Sequence, residues 1–173
     1  MHQDYLHIFA KGQPDLNWES AEVRKEIHES ALRFWFKKGI DGFRVDTCDI
    51  YSKDPELQDT KVSPRTAPFG DPQTAIENGP RIHEYWQAIR KQVLDDFGDP
   101  LMVGEMSLSS FENTLKFIGR EPRELSMVFD FAYARLGKRD PSCMPIPNAQ
   151  QVGYMNNLHT ILILTGSLKQ RLL

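Results

Sequence analysis

Three times along this chain a run with helical periodicity is halted by glycine and followed within a few residues by a short β-like run. In the first, Val23, Ile27, Ala31, Phe34 and Trp35 recur at three- and four-residue steps, with Ser20 or Asn17 as N-cap candidates. Lys37, Lys38 and Gly39 end that helix, and Ile40 to Asp46 reads as a strand at once. In the second, Ile82, Tyr85, Trp86, Ile89, Val93 and Phe97 make the stripe, Gly98 closes it, and Leu101 to Glu105 follows. In the third, Phe111, Leu115 and Ile118 follow a cap at Ser109 or Ser110 and stop at Gly119 and Pro122, before Ser126 to Phe131. Short αβ joins between longer βα loops are the connectivity of a parallel sheet covered by helices, doubly wound or closed into a barrel. No glycine-rich phosphate loop follows any of these strands, which disfavours a nucleotide-dependent α/β enzyme.

The first strand carries the chemistry. In Asp41-Gly42-Phe43-Arg44-Val45-Asp46, a period of two puts Phe43 and Val45 on one face and a guanidinium and a carboxylate, Arg44 and Asp46, on the other. Leu101-Met102-Val103-Gly104-Glu105 ends in a second carboxylate. Two neighbouring strand ends that each carry a carboxylate form a pair able to act on one bond. Asp46 taken alone reads equally well as a helix cap or a solvated strand end, and Glu105 after Gly104 as a strand-end turn. Trp35, Tyr85 and Trp86 read as core aromatics, and Cys48 as a small buried residue.

Composition narrows the alternatives. With 40% hydrophobic and 26% charged residues, ten Phe, three Trp and five Tyr, the 173-residue chain has ordinary globular material. A net charge of -3 with no basic stripe argues against nucleic acid as a partner. Cys48 and Cys143 are too few and too far apart for a disulfide framework, and His7, His83 and His159 show no metal-ligand spacing. The longest apolar run, Ile161 to Leu164, is far below the roughly 20 residues of a spanning helix. Met1 to Phe9 lacks a signal peptide's apolar core, so a cytoplasmic location is the expectation.

Residues 1–19 read as a short helix or turn leading into Gln13-Pro14-Asp15-Leu16-Asn17. Tyr51 to Pro80 holds five prolines and two glycines, so it reads as a long loop of the size that serves function. Beyond Asp140, Pro141, Pro145 and Pro147 break periodicity, and 148–173 offers one weak apolar patch at Leu158 to Leu164.

Three stretches, Gln13-Pro14-Asp15-Leu16-Asn17, Gly42-Phe43-Arg44-Val45-Asp46 and Val103-Gly104-Glu105, resemble in order and spacing three motifs of the α-amylase family of glycoside hydrolases (family 13). The resemblance is to its α-glucosidase branch of maltases and oligo-1,6-glucosidases. Tyr51-Ser52-Lys53 and Asn78-Gly79-Pro80-Arg81-Ile82 also resemble the loop that this branch places after barrel strand four. The resemblance implies an α/β fold: a partial (β/α) TIM-type barrel of about strands four to six with their helices, plus an irregular C-terminal tail. Residues 1–140 would be the partial catalytic barrel domain, with 1–19 the end of the inserted subdomain, and 141–173 a divergent, poorly packed tail.

For the site, the resemblance implies Asp46 as nucleophile and Glu105 as acid/base of a retaining hydrolase. Such an enzyme needs its two carboxyl groups about 5 to 5.5 Å apart. Arg44 would hold the nucleophile ionised among the substrate-binding groups. The implied partner is an α-linked gluco-oligosaccharide of the maltose type, with no cofactor, no metal and no membrane; the oligomeric state is left open. Thr47, after the nucleophile, resembles the α-1,4-cleaving members, where isomaltase-like ones carry valine. The family's strand-three and strand-seven sugar contacts have no counterpart here, and Asn156-Asn157-Leu158-His159 does not reproduce the latter. Little or no turnover is therefore expected of the chain as written, and a catalytically inactive fragment or sugar-binding relic is the alternative.

Overall fold

Ser20 opens the first helical stretch as its position predicts: its backbone is extended and its Oγ accepts the Val23 amide at 3.3 Å. The computed structural model describes residues 4–56, 58–62, 68, 70, 73–106, 110–119 and 123–130. The residues from 131 on, with Cys143, His159 and the 158–164 patch, lie outside the described residues. The described residues fall into two compact units, one within Met1–Asp41 and Asp49–Asp99 and one within Gly42–Cys48 and Pro100–Leu173.

In the first unit the helical stretch runs as α1 (Ala21–Glu26), a π-helical segment (Ile27–Arg33) and α2 (Phe34–Lys37), ended by Gly39 at a φ of 93°. The wider π turns absorb extra residues, so a stripe extrapolated at 3.6 residues per turn slips. His28 and Phe36 are buried, whereas Phe34 and Trp35 are 46% and 49% exposed. Trp35, expected in the core, is thus a surface aromatic, and Phe36 packs in its place against Phe97 at 5.0 Å between ring centroids.

Residues 4–19 contain turns and no helix. Asp15 holds them, accepting the Ile8 amide at 2.8 Å and pairing with Lys53 Nζ, also at 2.8 Å. Asn17 Oδ1 accepts the Glu19 amide, a local turn and not the helix cap. Among the described residues of the long loop, regular structure is limited to an isolated Val62–Gly70 bridge and the single turn of α3 (Gln73–Ile76). Gly79 is required there, since a Cβ would stand 1.9 Å from the Ser52 carbonyl oxygen. α4 (Ile82–Gln92) then buries Ile82, Tyr85, Trp86 and Ile89, and a 3₁₀ turn (Leu94–Phe97) closes at left-handed Gly98. Tyr85 and Trp86 are core, as their spacing predicts. Trp18 stacks flat on Tyr51 at 4.8 Å and leans on Tyr85 at 5.6 Å, so the motif around Asn17 shares one aromatic cluster with the loop and α4.

The second unit is built on a three-stranded parallel sheet, β1 (Gly42–Val45), β2 (Leu101–Met106) and β3 (Met127–Asp130), in that spatial order. Gly42 pairs with Leu101 and Val45 with Gly104; Val103 pairs with Met127 and Met106 with Asp130. β1 is shorter than the Ile40 to Asp46 expected, because the chain turns from Asp46. α5 (Phe111–Ile118), capped by Ser110 Oγ on the Asn113 amide at 3.2 Å, connects β2 to β3. One face of the sheet is covered, with Met102, Met106, Val128 and Cys48 buried. Gly104 belongs to that face: a Cβ there would meet Cys48 Sγ at 2.6 Å and Leu125 Cδ1 at 2.7 Å. The glycine therefore serves protein packing.

Candidate active site

Parallel strands lie about 4.8 Å apart, so residues at equal register on neighbours are close without special geometry. Val45 and Gly104 are the last β1–β2 pair, and the next residue on each strand is Asp46 and Glu105. Both carboxylates thus leave the carboxyl ends of adjacent parallel strands, where ligands bind in open and closed α/β sheets.

Arg44 joins them. Two residues before Asp46 and on its face, it places Nη1 2.5 Å from Asp46 Oδ1 and Nη2 on Glu105 Oε2. Its guanidinium also lies over the Phe129 ring at 5.9 Å. One guanidinium is shared by two carboxyl groups. The Asp46 side chain is 71% exposed and that of Arg44 53%, while Glu105 is only 10% exposed. A ligand arriving from solvent meets Asp46 and Arg44 first and Glu105 at the floor.

The backbone ties the strand ends as well. The Cys48 amide donates to the Glu105 carbonyl oxygen at 2.8 Å, and Thr47 between Asp46 and Cys48 has a φ of 41°. Sequence reasoning missed both features and Phe129. A β-branched residue is the least expected at positive φ, and nothing in the composition of β3 marks its aromatic as a platform.

Other acidic and amide side chains fall elsewhere. Asp15 and Asn17 act within the first unit as loop ties. Asp130 ends β3, and its side chain lies outside the described residues. Among the described residues no group of three His, Cys, Asp or Glu could hold a metal ion, and no helix is long and apolar enough to cross a membrane. A groove of about 300 Å³ in the first unit, lined by Arg24, His28, Glu29, Glu84, Tyr85 and Gln92 among others, carries mixed charge.

Comparison with known proteins bears on what such a pair does. The family model for the alpha amylase catalytic domain matches residues 1–162. The α-glucosidase of Candida albicans is 42% identical over 137 residues, covering 79% of this chain and 24% of that protein. The oligo-1,6-glucosidase of Parageobacillus thermoglucosidasius is 39% identical over 141 residues, covering 76% and 23%. Among solved structures, the trehalose-6-phosphate hydrolase of Bacillus licheniformis superimposes with a TM-score of 0.68 at 38% identity, over 76% of this chain and 22% of that one. The chain thus spans about a quarter of the length of the curated relatives it matches.

Proposed function

Since this chain belongs to the α-amylase family, we propose that its carboxylate pair is the catalytic pair of an α-glucosidase-type retaining glycoside hydrolase. The observation that carries the reading is Arg44 holding Asp46 and Glu105 together at adjacent strand ends. In this reading β1 to β3 correspond to about strands four to six of the barrel, residues 1–140 are catalytic-domain sequence, and 141–173 are the divergent tail, of which the family model still covers 141–162.

Asp46, the exposed member, attacks the anomeric carbon of an α-linked glucoside. Glu105 protonates the leaving oxygen and then takes a proton from the water that releases the glycosyl group. To reach the leaving oxygen, the Glu105 carboxyl has to come off Arg44 Nη2, while Nη1 keeps Asp46 aimed. Arg44 is therefore an orienting group whose two contacts separate during turnover. The substrate class is maltose-like gluco-oligosaccharide, and Thr47 after the nucleophile favours α-1,4 over α-1,6 bonds; isomaltose cleaved far faster than maltose would reverse that preference.

A second reading is a relic with no turnover, favoured by the same guanidinium, which occupies both carboxylates at once. Hydrolysis of p-nitrophenyl α-glucoside by the chain, beside Asp46→Asn and Glu105→Gln, decides between them. Turnover that both substitutions abolish supports the hydrolase. A background rate that neither changes leaves the relic.

A further inference from the structure

Asp46 and Arg44 are both largely exposed, and an ion pair in water holds geometry weakly. Something firmer is needed if two carboxylates are to act on one bond, and the backbone after Asp46 supplies it. Thr47 has a φ of 41°, in the left-handed region that a β-branched residue enters only when its surroundings force it. Two contacts show what does the forcing. The Cys48 amide donates to the Glu105 carbonyl oxygen at 2.8 Å. The Cys48 side chain is fully buried beside Gly104, where any added Cβ would lie 2.6 Å from Sγ. Because Val45 already pairs with Gly104, a ladder that continued straight would carry Cys48 past Glu105; the left-handed turn brings it back.

We propose that Thr47 is a positioning residue for the carboxylate pair: its left-handed turn latches the end of β1 to the end of β2 through the Cys48 amide and the Glu105 carbonyl. Asp46 is then pinned on both sides, by the ladder at Val45 and by the latch at Cys48. Glu105 is pinned at its own main chain. The separation of the two carboxylates is set by backbone, and Arg44 orients side chains within that frame. This inference deepens the glycosidase reading and rests on it for the meaning of the pair, but the latch itself is observable without any sugar.

The test uses amide hydrogen exchange at Cys48 and the ¹³C carboxyl resonance of Glu105 in the full chain, for wild type, Thr47→Gly, Thr47→Pro and Phe117→Leu. Glycine adopts positive φ freely, whereas proline fixes φ near −65°. The Cys48 amide is expected to exchange at least roughly 10-fold slower than an unstructured amide in the wild type and in Thr47→Gly. The Glu105 resonance is expected to be unchanged between those two. Thr47→Pro should lose the protection and move the resonance. Phe117→Leu, a core substitution in α5, should lower the unfolding midpoint and move neither, which separates positioning from general destabilisation. An unprotected Cys48 amide in the wild type, loss of both signals in Thr47→Gly, or their retention in Thr47→Pro would overturn the proposal. If Thr47→Pro does not fold, the wild type and Thr47→Gly decide by the same criteria. A latch that behaves as expected in a chain showing no glucoside turnover retires the glycosidase reading alone.

Discussion

Lys53 Nζ sits 2.8 Å from Asp15 Oδ1 with each side chain only 13% exposed, and the same ammonium donates to the Ile50 carbonyl at 3.0 Å. This pair fastens the start of the long loop to the turn that precedes the first helix. Removing one partner leaves the other charge largely buried. Lys53→Met should therefore cost roughly 3 kcal/mol of stability, and Asp15→Asn with Lys53→Met together less than the sum of the two single changes. Urea unfolding of the three variants measures this, and strict additivity would show that the contact carries no coupling.

Tyr85 and Glu19 give an alkaline signature. The phenol, pushed up to about 12 by burial and then by its bond to Glu19, donates to Glu19 Oε1 at 2.6 Å. A group whose folded pKa lies above its unfolded one adds stability that is complete below the unfolded value. Here that contribution stands below about pH 10 and disappears as pH rises through about 12. Tyr85→Phe should remove a tyrosinate step near pH 12 from an absorbance titration and cost about 1.5 kcal/mol at neutral pH.

His28 gives the acidic counterpart. Burial holds its imidazole below the ordinary histidine value, against the opposing influence of Gln92 and Glu29. The depressed pKa means that its contribution is fully present above about pH 6.5 and is lost as pH falls through the lowered value. Denaturant midpoints at pH 8 and pH 5 should differ more for the wild type than for His28→Gln; equal differences would show that this ring does not drive acid sensitivity.

Gly104→Ala should destabilise by roughly 1 to 3 kcal/mol, because its methyl would press on Cys48 Sγ at 2.6 Å and Leu125 Cδ1 at 2.7 Å. Adding Cys48→Ala should recover part of that loss, since the sulfur is the nearest of the three crowding atoms, the third being Val128 Cγ1 at 3.2 Å. Thermal melts of the single and double variants read this out, and a double variant worse than the sum of its parts would place the strain elsewhere.

How much of this was legible in the sequence varies with the kind of evidence each residue supplies. Gly39, Gly98, Ser20 and Ser110 mark their boundaries because capping and positive φ are local properties, and the period-2 alternation around Arg44 put it on the face of Asp46. The failures are non-local. Whether Trp35 or Phe36 faces the core depends on a π segment that no single residue announces. Of the two alternatives left open for 1–19, a short helix or a turn, the described residues take the turn because Asp15 finds partners at Ile8 and Lys53, one of them far along the chain. Glu105 was readable as a strand-end acid, but its contact with Arg44 and its latch to Cys48 arise only when two strands adopt a register.

The π-helical segment Ile27–Arg33 also constrains how this sequence can change length. One residue of α-helix is about 100° of rotation. The seven residues of the π segment sweep about the same angle that about six would sweep in an α-helix. Deleting one residue there, so that the widened turns relax to ordinary ones, would leave the facing of α2 unchanged, with Phe36 inward and Phe34 and Trp35 outward. The same deletion in α1, whose turns are already ordinary, would be a screw motion that swings everything after it by about 100°.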